Sequence, residues 1–277
     1  TVFSYDMAKK LSEEAKKIEK TVDIHIKIDT GMSRLGFLPN DKTIDEIIAI
    51  KNLPYINITG IFTHFATADM KDKSFTKEQF EKYLWVIKKL EEKGINNLIK
   101  HISNSGAILD LEEYRLDMVR AGIILYGMYP SKEVLKNIDL KPAMSLKTHI
   151  SYVKEIEENI SVSYCRTYFT NKKTKIATIP VGYADGYSRI LSNKARVFVN
   201  GKYANVIGNI CMDQFMIDVT YIPNVKEGDI VTLMGENIKA EELANLQNTI
   251  NYEIVCNIGK RIPRVYIKNN QFLKIKK

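Results

Sequence analysis

The sequence has few of the residues that mark several common protein classes. Of its 277 residues only 3 are Cys, 7 are Pro and 14 are Gly. This composition excludes a small disulfide-framed domain, a collagen-like fibre and a disordered tail. No stretch approaches the roughly 20 apolar residues that span a bilayer, which argues against a membrane protein. Cys165, Cys211 and Cys256 are widely spaced without a C-x-x-C pattern, as expected in a reducing cytoplasm.

Arginine is also scarce, which bears on the meaning of the net charge of +8. Eight of the 41 basic residues are Arg and the other 33 are Lys. Lysines alternate with acids in segments such as residues 9–17, a pattern typical of a solvated helix face. Nucleic-acid binders usually concentrate arginine and aromatic residues on one surface. The charge therefore indicates a solubilising surface, and the basic segment 268–277 stays open as a polyanion contact.

The first half of the chain alternates between helical and strand periodicity. The pattern predicts helices at 5–20, 41–52 and 75–93, and strands at 22–29, 58–65, 98–103 and 118–126. Strands that are separated by helices indicate a parallel sheet with right-handed crossovers. We therefore expect an α/β domain over residues 1–140.

From about residue 143 the chain consists of short β-rich segments divided by turn residues. Asn200-Gly201 lies between two such segments and predicts a hairpin with a type I′ turn, which needs positive φ at both central residues. A single short helix is predicted at 239–247. We therefore expect a separate β domain over residues 141–277, joined to the first domain near 139–142.

Polar groups follow each predicted strand of the first domain. Arg34, His64, Ser105 and Arg120 all come at or after the carboxyl end of a strand, where α/β folds bind ligands. Such a cationic site with a hydroxyl group suits a phosphate or a carboxylate. Each residue also has an ordinary structural reading, since His64 could be a satisfied core histidine and Arg34 could pair with Asp29. Four such groups on one sheet edge favour the binding site.

Lys27 lies within a strand whose neighbours are apolar, where an unpaired ammonium group is costly. One reading is that Lys27 points into the barrel and pairs with a carboxylate. The other is a neutral, modified lysine, because buried lysines lose their proton readily.

Two segments of the β domain interrupt its strand pattern. Residues 181–187 place two tyrosines, Tyr183 and Tyr187, around Gly-x-x-Gly, which predicts a shaped loop. The alternative is a turn whose tyrosines pack on the sheet. Residues 209–214 form the second interruption, in which Cys211 has the plain reading of a small core residue.

Seven strings that run from one end of the chain to the other resemble the alanine racemase family in order and spacing. They are HIKIDTGMSRLGF (25–37), GIFTHFATAD (60–69), HISNSGA (101–107), DMVRAGIILYG (117–127), IPVGYADGYSR (179–189), GNICMDQ (208–214) and INYE with RIPR (250–253, 261–264). The resemblance implies a bacterial, cytoplasmic isomerase that uses pyridoxal 5′-phosphate (PLP) of fold type III. It implies a (β/α)8 TIM-type barrel followed by a barrel-like β domain, in a head-to-tail homodimer whose active sites lie at the interface. The reaction would interconvert L- and D-alanine for peptidoglycan precursors.

The resemblance also implies the roles of three candidate catalytic residues. Tyr183 matches the base that handles the α-proton of the L-enantiomer in the partner subunit's site. The ordinary tyrosine pKa near 10 would have to be lowered by cationic neighbours. His64 would bond to that tyrosine and to Arg120. Arg120 matches the arginine that faces the pyridine nitrogen and keeps it unprotonated.

The remaining matches concern binding. The cofactor, chiefly its phosphate, would be held by Asn104, Ser105, Gly122, Ile123 and Tyr252. The substrate carboxylate and the cofactor O3′ side would face Arg34 and Met212. Lys27 matches a lysine that carries an N6-carboxyl group in many family members, where the carbamate orients Arg34. No metal is implied.

The sequence departs from the family in one respect. No position matches the cofactor lysine, which the family carries in a Val-Lys-Ala-Asn-Ala-Tyr-Gly string near the start of the protein. A full (β/α)8 barrel needs about 250 residues, so the first domain is expected to be its latter half. Because residue 1 is Thr rather than Met, we expect that processing or truncation removed the segment before it.

Three functional hypotheses follow from that departure. The chain is the larger part of an alanine racemase and is inactive alone. Alternatively it is a non-catalytic oligomerisation module that needs a separate N-terminal part. A third reading is a racemase for serine or another amino acid, against which Met212 argues weakly.

Overall fold

The computed structural model describes residues 1–269 and 271–276. The chain divides into two compact units, Thr1–Lys141 and Pro142–Lys277, one residue beyond the boundary expected from the sequence. Residues 270 and 277, which belong to the basic segment 268–277, lie outside the described residues.

The first unit contains three long helices, three strands and a short helix. In chain order they are α1 (Tyr5–Lys17), β1 (Val22–Lys27), α2 (Asp41–Lys51), β2 (Ile56–Phe62), α3 (Ser74–Glu92), β3 (Ile99–His101) and α4 (Ser105–Asp110). Side-chain caps fix where two of the helices begin: Ser4 Oγ accepts from the Met7 amide at 3.3 Å, and Asn40 Oδ1 accepts from the Thr43 amide at 3.0 Å. Such caps satisfy amides that the first turn of a helix leaves without partners.

The three strands form a parallel sheet in the order β1-β2-β3, as the alternating pattern predicted. Isolated parallel bridges extend the pairing at both edges, from Val2 to Ile26 and from His101 to Met118. Because side chains alternate along a strand, Ile24 and Ile26 point to the helices while His25 and Lys27 point to the opposite face. This opposite face carries the polar groups of the candidate site.

Isoleucines dominate the core between the sheet and its helices. Ile26 and Ile61 from neighbouring strands are fully buried, and Ile47 of α2 with Val86 of α3 packs in the same cluster. Full burial of each such side chain contributes roughly 1.5–3 kcal/mol. The apolar period of the helices therefore holds them on one face of the sheet and leaves the polar face free of core packing.

One predicted strand is wrong. Residues 118–126 make only the single bridge at Met118, and Ile123–Tyr126 form a 3₁₀ turn. Gly122 has φ −107 and ψ −107, outside the strand region, and Gly127 ends the turn with φ 74. Smaller corrections apply to the ends of the elements: β2 ends at Phe62 rather than at residue 65, so His64 lies in the following loop.

The second unit is mainly antiparallel. Its strands are β4 (Leu146–His149), β5 (Tyr152–Ile156), β6 (Ser161–Val162), β7 (Tyr168–Phe169), β8 (Thr174–Ile179), β9 (Arg196–Val199), β10 (Lys202–Ile207), β11 (Phe215–Asp218), β12 (Ile230–Met234), β13 (Arg264–Lys268) and β14 (Gln271–Lys276). Two short helices, α5 (Ala240–Leu246) and α6 (Asn251–Cys256), precede the last hairpin. The predicted helix at 239–247 is confirmed as α5.

Seven of these strands form one curled sheet in the order β4-β12-β9-β10-β11-β8-β5. Its two end strands are joined by only two residues, Ile150 and Ser151. The Ile150 amide donates to Asp229 O, next to β12, at 2.9 Å, and the Ser151 amide donates to Thr178 O of β8 at 3.0 Å. Two consecutive residues therefore bond to the neighbours of the first and the last strand of the sheet. The sheet therefore curves back on itself, as in a barrel.

The predicted type I′ hairpin is present between β9 and β10. Asn200 has φ 47 and Gly201 has φ 77, both in the left-handed region that this turn requires. Within residues 1–269 and 271–276, no helix is both long and apolar enough to cross a membrane.

Candidate functional site

The loop after β1 is shaped by a buried carboxylate. Asp29 Oδ1 accepts hydrogen bonds from the amides of Gly31 and Ser33, each at 3.0 Å. The chain then returns to the strand at Phe37, whose amide donates to Lys27 O at 2.9 Å. This loop carries Arg34, whose side chain is exposed. Asp29 thus serves the loop backbone, which is a structural use of a residue that the sequence offered as a partner for Arg34.

Lys27 is 3% exposed and lies on the polar face of the sheet. Its Nζ donates to Ile28 O at 2.8 Å and lies 5.5 Å from the centre of the Phe62 ring. Burial lowers the pKa of Lys27 to about 8, against an opposing effect of Asp29. With a pKa of about 8, roughly a tenth of the Lys27 amine is neutral at pH 7. Its hydrogen-bond acceptor is a carbonyl rather than a carboxylate.

Arg120 is held by main-chain carbonyls of two neighbouring segments. Its Nη2 donates to Thr63 O at 2.8 Å and to Ile102 O at 3.2 Å, and Nη1 donates to His101 O at 3.1 Å. The guanidinium also lies 5.1 Å from the centre of the Phe62 ring. No carboxylate partner of Arg120 is found among the described residues, so its charge remains available to a ligand.

His64 lies next to this guanidinium. Arg120 Nη2 is 3.3 Å from His64 Nδ1, and since arginine only donates, that nitrogen acts as the acceptor. Burial lowers the pKa of His64 to about 4, with further lowering by the positive charges of Arg120, Arg34 and Lys27. The imidazole is therefore neutral at physiological pH and carries its proton on Nε2.

Gln79, which the sequence gave no reason to single out, holds the loop that carries His64. The carboxamide is fully buried; its Nε2 donates to His64 O at 3.0 Å and its Oε1 accepts from the Ala66 amide at 2.8 Å. The same Nε2 is 3.2 Å from Thr30 Oγ1, which also bonds to Thr63 Oγ1 at 2.8 Å. Gln79 thus connects the loop after β1 to the loop after β2 through buried hydrogen bonds.

The first residue of α4 and the segment 118–126 bring together two of the residues expected at a phosphate. The Gly122 amide donates to Ser105 Oγ at 2.9 Å, and Ser105 is buried. Ile123 follows directly and begins the 3₁₀ turn. Asn104 has a structural use, because its Oδ1 accepts from the Ala107 amide at 3.1 Å and its Nδ2 donates to Phe65 O at 3.3 Å.

In the second unit, the 209–212 segment is bonded to the loop that contains Tyr183. The Tyr183 amide donates to Cys211 O at 3.1 Å and the Ala184 amide to Met212 O at 2.9 Å. A Cβ on Gly182 would lie 2.3 Å from both of these carbonyl oxygens, so only glycine permits this approach. Tyr183 is 42% exposed and Met212 is 58% exposed, so both side chains are accessible in this unit.

Asp185 fixes the shape of the Tyr183 loop. It is buried, accepts from the Gly182 amide at 2.9 Å and is paired with Arg261 Nε at 2.5 Å. Burial raises the pKa of Asp185, but the hydrogen bonds from Arg261 and Gly182 outweigh it and leave the pKa below its usual range. Tyr187 packs on the sheet, as the alternative interpretation of this loop expected, since it is fully buried against Phe215. Tyr252 lies on α6.

Tyr164 was not singled out from the sequence, yet its surroundings are unusual. Ser163, Cys165 and Arg166 have φ of 67, 62 and 51, three non-glycine residues in the left-handed region beside one tyrosine. Each such residue costs on the order of 1–3 kcal/mol, and strain of this kind clusters at functional sites. Tyr164 itself is 67% exposed. Backbone strain has no sequence signature, which explains why the residue was missed.

The segment 209–212 joins the two tyrosine loops. Asn209 Nδ2 donates to Tyr164 O at 2.7 Å, and Asn209 O accepts from Ser163 Oγ at 2.5 Å. Two residues further on, Cys211 O accepts from the Tyr183 amide. The second unit thus presents two exposed tyrosines on loops that share one anchor.

Both units match models of a known family. The description "Alanine racemase, N-terminal domain" matches residues 1–130, and "Alanine racemase, C-terminal domain" matches residues 143–266. An alanine racemase of Clostridium perfringens is 54% identical over 281 residues, covering 100% of this chain and 73% of the relative.

Solved structures give the same assignment. An alanine racemase of Clostridium difficile 630 superposes with a TM-score of 0.97 at 46% identity, covering 99% of this chain and 72% of that structure. An alanine racemase of Bartonella henselae with covalently bound pyridoxal phosphate has a TM-score of 0.83 at 30% identity, covering 96% of this chain and 72% of that structure. The expected fold, part of a TIM-type barrel with a β-rich domain, is confirmed. The chain therefore belongs to the alanine racemase family of isomerases.

Proposed function

We propose that the polar face of the first unit binds the cofactor PLP and the carboxylate of alanine in a racemase. The observation that carries the proposal is the excess of positive charge around Lys27, His64 and Arg120, where the pKa of His64 is lowered by burial and then by three separate cations. Asp29 is the carboxylate beside them, and its oxygen is occupied by loop amides. Such a cluster is stabilised by an anion, and the cofactor phosphate and the substrate carboxylate are both anions.

The residues of the first unit fit the cofactor. Ser105 Oγ with the amides of Gly122 and Ile123 would hold the phosphate, and Tyr252 of the second unit is proposed as a further ligand. Asn104 shapes this loop through its helix cap and its bond to Phe65 O. We assign it a supporting role. When bound, PLP withdraws electrons from the substrate α-carbon and makes the α-proton acidic enough to be removed.

Arg120 would face the ring nitrogen of the cofactor. Its guanidinium stays protonated at physiological pH even though burial lowers its pKa, so it does not transfer a proton to that nitrogen. Its hydrogen bonds to Thr63 O and Ile102 O fix the direction of the planar group. The neutral His64 can accept from Arg120 and donate from Nε2 to a tyrosine, which makes it the connection between the fixed charge and the base.

The base for the α-proton of L-alanine would be a tyrosine from the second unit of another copy of the chain. The motif resemblance assigns this role to Tyr183, which is exposed on a loop that Asp185 fixes. The strained backbone on both sides of Tyr164 favours Tyr164 as a second candidate. Met212 and Arg34 would contact the substrate.

Lys27 is proposed to react with carbon dioxide. The neutral amine attacks the carbon atom, an N–C bond forms, one C=O π bond becomes the carboxylate, and the amine proton leaves to solvent. The pKa of about 8, caused first by burial, supplies the neutral amine that this step needs. The carbamate would lie among cations and orient Arg34. Mass spectrometry of the native chain in bicarbonate, compared with the Lys27→Met variant, tests the modification.

The 277-residue polypeptide contains no Val-Lys-Ala-Asn string, and we propose that by itself it does not racemise alanine. A homodimer in the cytoplasm is the proposed state of the active enzyme. Visible PLP absorbance that survives gel filtration of the chain and disappears with hydroxylamine would contradict the proposal of inactivity.

The test of function uses a chimera. The part of the C. perfringens relative that this chain does not match is joined ahead of residue 1, and formation of D-alanine from L-alanine is measured. We expect activity, and a loss of roughly two to four orders of magnitude in kcat when the true tyrosine base is changed to phenylalanine. Tyr183→Phe and Tyr164→Phe are measured side by side, and only the base should show this loss. Paired kinetics with serine distinguish the alternative substrate.

A further inference from the structure

A pair of histidines lies behind Arg120. His101 is 3% exposed, and its Nε2 is 2.7 Å from Nδ1 of His25. On its other side, His101 Nδ1 is 2.6 Å from Nη1 of Arg120. His25, His101 and Arg120 thus form a continuous chain of hydrogen bonds on the polar face of the sheet.

The donor and acceptor of each hydrogen bond in this series can be assigned because Arg120 can only donate. A guanidinium has only N–H donors, so His101 Nδ1 must be the acceptor and must carry no proton. The proton of neutral His101 is then on Nε2, from which it donates to His25. His25 Nδ1 must therefore also be unprotonated, and the proton of His25 is on Nε2. One tautomer of each ring satisfies both hydrogen bonds.

The neighbouring strands are built around these two rings. Gly60 is the register partner of His25, and a Cβ on Gly60 would lie 2.6 Å from His25 Cε1, so the ring lies directly over the glycine. Phe62 is the register partner of His101, and the two rings stack at 4.6 Å between centroids with an interplanar angle of 10°. The sheet therefore fixes the positions of both imidazoles independently of their hydrogen bonds.

The charged groups around the pair favour the neutral rings. Burial lowers the pKa of His101 to about 4, followed by the effects of Arg120 and His25. The pKa of His25 is lowered by burial, while Asp23 opposes this effect. An added proton on His25 Nδ1 would face the Nε2 proton of His101, and the other tautomer of His101 would turn a proton toward Arg120.

We propose that His25 is a positioning residue for Arg120: its Nδ1 accepts the Nε2 proton of His101 and, together with the guanidinium, holds His101 in the tautomer that accepts from Nη1. Nη1 of Arg120 thereby has a fixed acceptor, His101 Nδ1, on a ring that carries no charge and is held by its stacking on Phe62. The importance of this for catalysis rests on the proposed role of Arg120, whereas the hydrogen-bond chain is a property of the polypeptide alone.

The test is long-range ¹H–¹⁵N correlation NMR of the 277-residue chain labelled with ¹⁵N-histidine at pH 7. The chain has only 4 His, so single substitutions assign every ring. We expect His101 and His25 both to show an unprotonated Nδ1 and a protonated Nε2. A proton on Nδ1 of either ring would overturn the proposal.

A variant tests the causal part. His25→Phe keeps an aromatic ring over Gly60 but removes the acceptor, and we expect the two ¹⁵N shifts of His101 to move toward the average of mixed tautomers. His149→Phe, an exposed position in β4, is the matched control and should leave His101 unchanged. Fluorescence of Trp85 in α3 verifies that the first unit is folded. A folded His25→Phe chain with unaltered His101 shifts would refute the positioning role, whether or not the chimera racemises alanine.

Discussion

Replacing Lys27 by methionine tests the charge balance of the candidate site. Methionine keeps an unbranched side chain of similar length in the same buried place but removes the ionisable amine. The folded chain holds the pKa of Lys27 at about 8, chiefly through burial, against the ordinary value of 10.5. Because the folded pKa is lower, the unfolded chain binds more protons between these values, and the stability of the wild type rises with pH across this window.

The expected magnitude follows from the two pKa values. At pH 7 the protonated amine destabilises the folded wild type by roughly 3 kcal/mol, and at pH 10 by about 1 kcal/mol, at 1.36 kcal/mol for each pKa unit. The difference in unfolding free energy between the Lys27→Met variant and the wild type should therefore shrink by about 2 kcal/mol from pH 7 to pH 10.

Urea unfolding followed by Trp85 fluorescence measures this difference. The chain has one Trp, which packs against the core of the first unit, so the signal reports that unit alone. Buffers are kept free of carbon dioxide so that Lys27 remains an amine. Lys77→Met on the exposed side of α3 is the control and should show no such pH dependence. A difference that stays constant within about 0.5 kcal/mol would refute the account of Lys27.

Three further predictions concern other features of the fold. Gly186→Ala should destabilise the second unit by more than about 2 kcal/mol, because Gly186 has φ +99 and the added Cβ would lie 2.1 Å from a carbonyl oxygen. Gly201→Ala should cost only about 1 kcal/mol, because Gly201 has φ +77 but open space around the added Cβ. Urea unfolding followed by circular dichroism measures both changes in stability. Because burial and nearby cations lower the pKa of His64 to about 4, this residue should account for about 2 kcal/mol of the stability that the first unit loses between pH 6.5 and 4.5, and His64→Gln should remove that share of the loss. Asp185→Asn should cost the second unit about 2 kcal/mol at pH 7, and this difference should fade as the pH drops below the ordinary carboxyl pKa near 4; an unchanged urea midpoint would contradict it.

The regular elements of the first unit could be predicted because its sequence repeats with clear periods. Apolar residues recur along α2 and α3, and strand alternation in β1 separates Ile26 from Lys27. The strand predicted at 118–126 is wrong, because an apolar run is compatible both with a strand and with a buried turn. Its conformation depends on Gly122, whose backbone lies outside the strand region.

Parts of the candidate site depend on contacts that no local pattern reveals. Asn104 looks like a ligand by its place after a strand, yet it caps α4 and bonds to Phe65 O. His25 and His101 are 76 residues apart in sequence and meet only through the register of three strands. The unusual backbone beside Tyr164 is likewise visible only in three dimensions.

The strand-end residues were a better guide, for a physical reason. Parallel pairing places the residues after β2 and after the Met118 bridge at one edge of the sheet, so His64 and Arg120 were expected on the same side. Their separation of 3.3 Å agrees with this expectation. What could not be predicted was the neutral state of His64, which burial causes and which leaves Nδ1 able to accept from Arg120.

The central claim is that the buried cations of this chain hold the cofactor and substrate of an alanine racemase. The most direct measurement is the rate of D-alanine formation by the chimera with and without Arg120→Ala, each at saturating PLP. The account predicts racemisation by the chimera and a decrease of at least about a hundredfold in the variant, since a fixed charge at the reacting system is lost. A folded, PLP-loaded chimera that forms no D-alanine, or an Arg120→Ala variant with full activity, would contradict it.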